Sequence, residues 1–105
     1  MTNEYGQELD RNGYAPSVFE KGADICCICN RMDKPLQRHE VIHGPFRSKS
    51  KRYGCWITVC KDCHDLLHQG GALERGVKAV IQQAAMKKYG WNEEGWREIF
   101  GKSYL

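Results

Sequence analysis

The hydrophobic and polar positions of this 105-residue chain separate an unpatterned N-terminal part from a patterned remainder. Residues 1–24 are polar and show no helical or strand period, so they predict an extended arm with one docked turn at Val18 and Phe19. The remainder predicts, in order, a strand, a loop, a strand and three helices. We therefore divide the chain into a polar N-terminal arm, residues 1–23, and one folded domain, residues 24–105.

Two segments favour β-strands. Leu36–His43 is short, contains a β-branched pair and ends at Gly44 and Pro45, which is typical of a strand that runs into a turn. Cys55–Val59 is the strongest strand signal in the chain, because aromatic and β-branched residues dominate it. The segment between the two strands is rich in lysine, arginine and serine and predicts a loop.

Three helices are expected after the second strand. The first begins near Lys61 and ends at the glycine pair of residues 70–71. The second covers about residues 72–89, where apolar side chains recur at helical spacing. The third covers residues 93–100 and is capped by Asn92. Two strands and three helices in this order predict a small α+β domain.

The C-terminal part ends in a group of large apolar side chains, Trp91, Trp96, Ile99, Phe100 and Tyr104. In a domain of this size such side chains are needed for the core. The alternative is that the aromatic rings stack on nucleic-acid bases.

Composition limits the class of protein. Hydrophobic residues make up 41% of the chain and charged residues 28%, which is ordinary for a folded domain. A core of this length is thin, so a bound metal would help to hold it together. No segment approaches a membrane-spanning helix, and Met1–Asp10 lacks the basic and apolar regions of a signal peptide. We therefore expect a cytoplasmic protein without a membrane partner.

Four of the six cysteines form two Cys-x-x-Cys pairs. The paired cysteines are Cys26, Cys29, Cys60 and Cys63. Four thiolates at this spacing are the ligand set of a tetrahedral structural zinc site. Cys27 competes with Cys26 but leaves too short a spacing to Cys29, and Cys55 is expected to be a small buried hydrophobe. Three disulfides in a secreted protein are the alternative to zinc.

The histidines predict a second metal site that stays open. His64 and His68 are four residues apart on a predicted helix, so both imidazoles lie on one face. A hydrolytic metal such as Mg²⁺, Mn²⁺ or Zn²⁺ needs a third protein ligand and a free position for water or phosphate. The first strand offers His39 as the first candidate and His43 as the second. The alternative is that His64 and His68 are ordinary residues of a helix surface.

Charge is distributed unevenly along the chain. Residues 1–24 carry five acidic residues against two basic ones, whereas residues 31–61 carry eight basic residues against two acidic ones. The densest basic run supplies the candidate phosphate contacts Arg47, Lys49, Lys51 and Arg52. A run of this kind is often a solvated loop, but beside a metal site it favours binding of a polyanion such as DNA.

The order strand, loop, strand and helix, with a histidine pair on the helix, resembles the HNH, or ββα-metal, nuclease superfamily. Residues 60–64, Cys-Lys-Asp-Cys-His, are similar to the Cys-x-x-Cys-His that ends many zinc-knuckle HNH motifs. The stretch from the first cysteine pair through His39-Glu40-Val41 and Tyr53-Gly54-Cys55-Trp56 resembles small phage and prophage proteins. That group is similar to the RecA-dependent recombination-enhancement nucleases, and the resemblance covers about Asp24 to Leu105.

The resemblance implies a metal-dependent DNA endonuclease that works in a bacterial host cell and is linked to recombination, with a recombinase filament as a possible further partner. It places His39 at a metal-ligand position and Glu40 at the position of the general base, where the family usually has histidine. His43 is the alternative base. Strand alternation puts His39 and His43 on one face and Glu40 on the other, unless a β-bulge rotates Glu40. The family also has an asparagine that steadies the base. Its position falls near Cys55 in this chain, which has no asparagine there.

Two other classes of function stay open. One is a zinc-knuckle DNA-binding or recombination-accessory module without cleavage activity. The other is a structural zinc protein that binds another protein through its acidic arm or its C-terminal helices. Metal-dependent nicking of DNA separates the nuclease from the first, and any binding of nucleic acid separates both from the second.

Overall fold

The computed structural model describes residues 1–20, 24–33 and 35–105. In this part of the chain a two-stranded antiparallel sheet and four α-helices form a small α+β fold, which confirms the predicted fold class. The elements are β1 (Leu36–Glu40), a 3₁₀ turn (Gly44–Phe46), α1 (Arg47–Arg52), β2 (Trp56–Cys60), α2 (Lys61–His68), α3 (Ala72–Tyr89) and α4 (Glu93–Phe100).

The sheet divides the molecule into two sides. β1 and β2 pair without interruption over all five residues of each strand. Because side chains alternate along a strand, His39 and its partner Ile57 lie on one face, and Glu40 and its partner Trp56 lie on the other. No bulge interrupts this register, so Glu40 is not rotated onto the face of His39.

The helices cover the face of the sheet that carries Ile57. β2 is buried at every residue, as expected from its run of β-branched and aromatic residues. The core joins β2 to the three later helices through Ile57, Val59, Leu67, Ile81, Ala85, Trp96 and Phe100. The rings of Trp96 and Phe100 lie 4.2 Å apart and neither side chain is exposed, so these two aromatic residues belong to the core and cannot stack on bases.

The N-terminal arm covers the opposite face. The indole N–H of Trp56 donates a hydrogen bond to the Ala15 carbonyl oxygen at 2.7 Å. The Ser17 hydroxyl donates to the Trp56 carbonyl oxygen at 2.7 Å, and the backbone N–H of Val18 donates to the Gly54 carbonyl oxygen at 2.9 Å. The arm is therefore packed along the sheet, well beyond the single docked turn that the sequence predicts.

One glycine makes this packing possible. Gly54 has a φ of +71°, and a Cβ atom built there would lie 2.0 Å from the Pro16 carbonyl oxygen. Only glycine allows both the left-handed conformation and this close approach of the arm. The predicted boundary between arm and domain falls at residues 21–23, which lie outside the described residues.

The basic segment is a helix, α1, and not the predicted loop. Lysine and arginine are good helix formers, and Ser50 in the middle of the segment is fully buried. The Ser50 hydroxyl donates to the Ile42 carbonyl oxygen at 2.5 Å and accepts from the Ile42 N–H at 3.2 Å. These bonds tie α1 to the residues that follow β1. β1 itself ends at Glu40, three residues earlier than predicted.

The three later helices confirm the predicted elements. The side chain of Asn92 accepts a hydrogen bond from the Gly95 N–H at 2.8 Å and so caps α4. Gly90 ends α3 in the left-handed conformation. Among the described residues no helix is both long enough and apolar enough to cross a membrane.

Candidate metal centre and adjoining cleft

The structure brings Cys26, Cys29, Cys60 and Cys63 into one cluster. The four sulfur atoms lie within 4.8 Å of one another, and the Sγ atoms of Cys29 and Cys60 are 3.8 Å apart. Cys29 is exposed, and the other three are buried. Four thiols at these distances could bind a structural metal such as zinc, with all four positions taken by protein ligands.

Local structure explains how the first pair reaches the second. Cys26 and Cys29 lie in a turn in which Asn30 adopts a left-handed φ of 61° and its N–H donates to the Cys26 carbonyl oxygen at 2.9 Å. The Cys27 N–H donates to the Thr58 carbonyl oxygen at 2.8 Å, which fixes this turn beside β2. Cys60 is the last residue of β2 and caps α2, so Cys63 follows one turn later.

The thiols of the cluster differ in acidity. Burial acts to raise the pKa of Cys26, but the backbone N–H groups of Cys29, Cys60 and Ile28 outweigh it and lower that pKa to about 6. Burial and the neighbouring thiols instead raise the pKa of Cys63. All six cysteines are free thiols, so the alternative of three disulfides finds no support. Cys27 and Cys55 lie outside the cluster; Cys55 is fully buried in the apolar core, as predicted, and burial raises its pKa.

A second cluster joins the end of β1 to α2. The ligand nitrogens of His39, His64 and His68 lie within 4.8 Å of one another, so one ion could contact all three. The ring centroids of His39 lie 5.2 Å from His64 and 5.4 Å from His68. The Nε2 atoms of His64 and His68 are 3.1 Å apart across one helical turn. This arrangement argues against two unrelated helix-surface residues.

The surroundings of His39 and His64 favour their neutral imidazoles. His39 is almost fully buried, and this burial, followed by the adjacent His64, His68 and His43 rings, lowers its pKa to about 4. Burial and the nearby His68 ring also lower the pKa of His64. A neutral imidazole offers a lone pair, so the apoprotein presents His39 and His64 ready to bind a metal.

The histidine cluster opens into a polar cleft of about 540 Å³. The residues that line it are Gln37, Arg38, His39, Glu40, His43, Gly44, Arg47, His64 and His68. None of the residues that line this cleft belongs to the cysteine cluster, in which three of the four thiols are buried. The histidine cluster therefore faces solvent and basic side chains, whereas the cysteine cluster lies mostly inside the fold.

Glu40 reaches this cleft from the far face of the sheet. Its carboxylate accepts a hydrogen bond from Arg47 Nε at 2.6 Å, with the Glu40 side chain buried and the Arg47 side chain largely exposed. Burial acts to raise the pKa of Glu40, but the hydrogen bond and charge of Arg47 outweigh it and lower that pKa. The predicted base is thus an ionised carboxylate bound to an arginine.

His43 lies at the other edge of the cleft. Its ring centroid is 5.6 Å from that of His68 and 6.3 Å from that of His39. Its Nε2 atom is 3.7 Å from the Glu74 carboxylate, which also pairs with Lys78 on the next turn of α3. His43 is 42% exposed and lies beside the three other histidines, outside their 4.8 Å cluster.

The four predicted phosphate contacts do not share one environment. Arg47 lines the cleft, whereas Arg52 pairs with Glu4 of the arm at 3.0 Å. Lys49 donates to the Ile99 carbonyl oxygen at 3.0 Å, and the Lys51 ammonium lies 5.0 Å from the centre of the Tyr14 ring. Of these four cations, Arg47 is the one placed at the histidine cluster.

Sequence reasoning missed two parts of the cleft. It did not connect Arg47 to Glu40, because that contact depends on α1 folding back on the end of β1. It gave no role to Glu74, whose position on α3 beside His43 follows from the packing of helices distant in sequence. No local spacing in the sequence predicts either contact. The signal that was present is the charge of the partners, since Arg47 is opposite in charge to Glu40 and Glu74 is opposite in charge to a protonated His43.

We compared the chain with protein-family models, with curated proteins and with solved structures, and none of the three comparisons gives a match.

Proposed function

We propose that this chain is a metal-dependent DNA endonuclease of the HNH type, with a structural zinc in the cysteine cluster and a second divalent metal in the histidine cluster. The observation that carries the proposal is the cluster of three imidazoles within 4.8 Å, opening into a cleft that also holds a buried carboxylate and an exposed arginine. Three neutral protein ligands and an open side are the arrangement of a hydrolytic metal.

The three imidazoles fit a second divalent metal such as Zn²⁺, whereas Mg²⁺ or Mn²⁺ would complete its shell with oxygen atoms of water and phosphate. His39, His64 and His68 contribute no charge, so a bound divalent ion would keep its full positive charge for a phosphodiester. When bound, such an ion polarises a phosphate oxygen and stabilises charge on the leaving oxygen. α2 supports both clusters, because Cys60 and Cys63 stand at its start and His64 and His68 follow on the same helix. The cysteine cluster would thus fix the helix that presents two of the three imidazoles.

The remaining residues of the cleft have distinct tasks in this proposal. Arg47 presents a guanidinium group at the edge of the cleft, where it can bind phosphate oxygens in a bidentate manner. Glu40 orients that guanidinium and is also the first candidate to accept the proton of the attacking water. His43 is the second candidate for that proton. Lys49, Lys51 and Arg52 would contact flanking phosphates without selecting a sequence.

The recombination link is part of the proposal and rests on the resemblance of residues 24–105 to small phage nucleases. We infer that the substrate is DNA and that a recombinase filament is a further partner. Nicking of naked duplex, single-stranded and recombinase-coated DNA by the same preparation would separate these substrates.

The competing proposal is a zinc-knuckle DNA-binding or recombination-accessory module without cleavage. The contact between Arg47 and Glu40 favours it, because a carboxylate that is bound to an arginine is a poorer base for water. Both proposals require DNA binding, so cleavage decides between them.

The decisive experiment is a supercoiled-plasmid nicking assay with EDTA-treated protein and added Mg²⁺, Mn²⁺ or Zn²⁺. Zinc in the cysteine cluster must be quantified before and after the treatment. We expect nicking that depends on added metal and is lost in His68→Ala. Tight binding without nicking on any of the three DNA substrates would select the accessory module, and no binding at all would select a structural protein.

The base can be assigned by pH. A Glu40 carboxylate with a lowered pKa is deprotonated in mild acid, so activity measured from pH 5 to 9 should not follow the titration of a histidine at about pH 6.5. A histidine base would lose activity as the pH falls through about 6.5. We compare wild type, Glu40→Gln and His43→Ala at equal metal content. If nicking is lost in His43→Ala but not in Glu40→Gln, and wild-type activity falls on the acid side of the pH profile, then His43 is the base that accepts the proton of water.

A further inference from the structure

His43 is placed to add a fourth imidazole to the histidine cluster. The ring centroids of His39, His43 and His68 form a triangle with sides of 5.4, 5.6 and 6.3 Å. The corresponding separations within the described cluster of His39, His64 and His68 are 4.3, 5.2 and 5.4 Å. His43 is thus only slightly farther away than the three residues that already share a site.

The surroundings of His43 favour a metal-binding orientation. Its Nε2 lies 3.7 Å from the Glu74 carboxylate, just beyond hydrogen-bond distance, so a small rotation would close this contact and leave Nδ1 as the nitrogen for a metal. Histidine ligands usually donate their second ring N–H to a carboxylate, which fixes the tautomer and strengthens the ligand. Glu74 is 17% exposed and is itself held by Lys78, so the carboxylate is fixed in place.

The freedom of His43 allows a small movement. The side chain is 42% exposed, and it follows the end of β1 and precedes Gly44, whose φ is +68°. The three other histidines lie on β1 and α2, whose backbone hydrogen bonds hold their Cα positions. A rotation of the exposed His43 side chain is therefore the movement that a four-imidazole site requires.

We propose that zinc closes the histidine cluster by binding His39, His43, His64 and His68 together, with Glu74 as the carboxylate that orients His43. Zinc accepts four nitrogen ligands in tetrahedral geometry, and a site with four protein ligands leaves no position for water. Mg²⁺ and Mn²⁺ prefer oxygen ligands and retain water, so they leave His43 free and the site open. Metal identity thus selects a closed or an open state of one cleft.

This inference rests on the metal-binding part of the proposed function, but not on cleavage. Its test uses protein in which zinc fills the cysteine cluster, with a second equivalent of Zn²⁺ or Co²⁺ then titrated by calorimetry and visible absorption. Tetrahedral Co²⁺ absorbs much more strongly than Co²⁺ with five or six ligands. Wild type should bind the second equivalent with the strong tetrahedral spectrum.

His43→Ala should lower the affinity for the second Zn²⁺ by about 100-fold or more, above the roughly 10–100-fold typical for loss of a residue that only orients a ligand, and weaken the Co²⁺ spectrum, while Mn²⁺ affinity stays within about twofold of wild type. Glu74→Ala should cause the smaller loss of zinc affinity expected for a residue that orients a ligand, and Glu74→Gln should restore part of it. Gln37→Ala, which also lines the cleft, is the matched control and should bind zinc as wild type does.

Unchanged zinc affinity and an unchanged Co²⁺ spectrum in His43→Ala would overturn the four-histidine site, as would a wild type that binds no second zinc. Plasmid nicking with Mn²⁺ is measured separately. If the wild type nicks DNA and His43→Ala binds zinc with unchanged affinity, the four-histidine site is rejected and the proposed nuclease activity stands. A zinc loss in His43→Ala without any nicking keeps the inference and rejects cleavage.

Discussion

The cysteine cluster and the histidine cluster share helix α2, yet their surroundings differ in almost every respect. The first is built mostly from buried thiols tied to β2 by backbone hydrogen bonds, and its four sulfur atoms could surround one metal ion. The second lies at the end of a strand, with one buried imidazole and two more accessible ones facing a polar cleft. One short helix thus contributes to a mostly buried cluster at its first turn and to a cluster beside a cleft along the rest.

Because of this difference, substitutions in the two clusters should affect the fold differently. Loss of a ligand from the cysteine cluster removes a connection between distant parts of the chain, the first cysteine turn and the start of α2. Loss of a ligand from the histidine cluster leaves those connections in place. Mutations can therefore test whether fold and site are as separate as the structure indicates.

The largest effect is expected for Cys63→Ser. Apparent binding free energies of structural zinc sites are about 10–16 kcal/mol, which matches or exceeds the about 5–15 kcal/mol stability of a typical domain. The variant should lose zinc and unfold, measured as metal content and far-UV circular dichroism. Cys27→Ser is the control, because Cys27 neighbours the cluster without belonging to it. A folded Cys63→Ser protein with full zinc content would contradict the assignment.

The next effect is expected for His68→Ala. It should abolish the second metal equivalent while zinc in the cysteine cluster and the circular dichroism spectrum stay as in wild type. His68 is exposed, so without the second metal its truncation should change the free energy of unfolding by less than about 0.5 kcal/mol, whereas added second metal should stabilise the wild type alone. Metal analysis and urea titration on the same samples measure both quantities. Loss of both metals together would show that the clusters are coupled through α2.

The sequence predicts the parts of this comparison that are local. The Cys-x-x-Cys spacing and the i, i+4 histidines of α2 are fixed by a few consecutive residues, so four cysteines and two histidines could be selected before the fold was known. The third histidine lies on a separate element, so the sequence left it between His39, the first candidate, and His43, and the structure places His39 in the cluster. The packed N-terminal arm could not, because it depends on Ala15 and Ser17 meeting Trp56 across 39 or more residues. Helix α1 was predicted as a loop because all of its residues are charged or polar, and nothing in the sequence marks Ser50 as the residue that is buried.

The cleft itself was harder to predict for the same reason. Strand alternation correctly placed Glu40 on the face opposite His39, but it could not show that β1 ends at Glu40 and that both residues reach one cleft. The contacts of Glu40 with Arg47 and of His43 with Glu74 join elements that are independent in sequence. Both arise from packing, and both change the predicted chemistry of the candidate bases.

Arg47→Ala tests how much the cleft contributes to the fold. The pKa of Glu40 is lowered in the folded state, so the pair stabilises the protein above the unfolded-state pKa of about 4.3 and loses that effect as the pH falls through the folded-state pKa. We expect a loss of about 1–2 kcal/mol at pH 7, between the values for exposed and buried pairs, since Arg47 is largely exposed.

Urea unfolding at pH 7 measures this loss with zinc still bound, because a pH of about 3 would protonate the cysteine thiolates and release the metal. Adding Arg47→Ala to a Glu40→Gln background provides the comparison, because the ionised partner is then already absent and the loss should shrink. An equal loss in both backgrounds would mean that Arg47 stabilises the protein by packing of its aliphatic chain and not through the charge of Glu40.

The smallest effect is expected for Asn92→Ala, which lies outside both clusters. The Asn92 side chain caps α4 by accepting the Gly95 N–H, and removal of such a cap costs about 1 kcal/mol. α4 packs on the core through Trp96 and Phe100, and none of its residues belongs to either cluster or lines the polar cleft. The variant should therefore unfold at lower urea while binding both metals with wild-type affinity.

Asn92→Asp keeps a capping oxygen and should recover most of the stability. Weaker binding of the second metal in Asn92→Ala, with the fold intact at the assay temperature, would mean that the cleft depends on the whole helical layer and not on β1 and α2 alone.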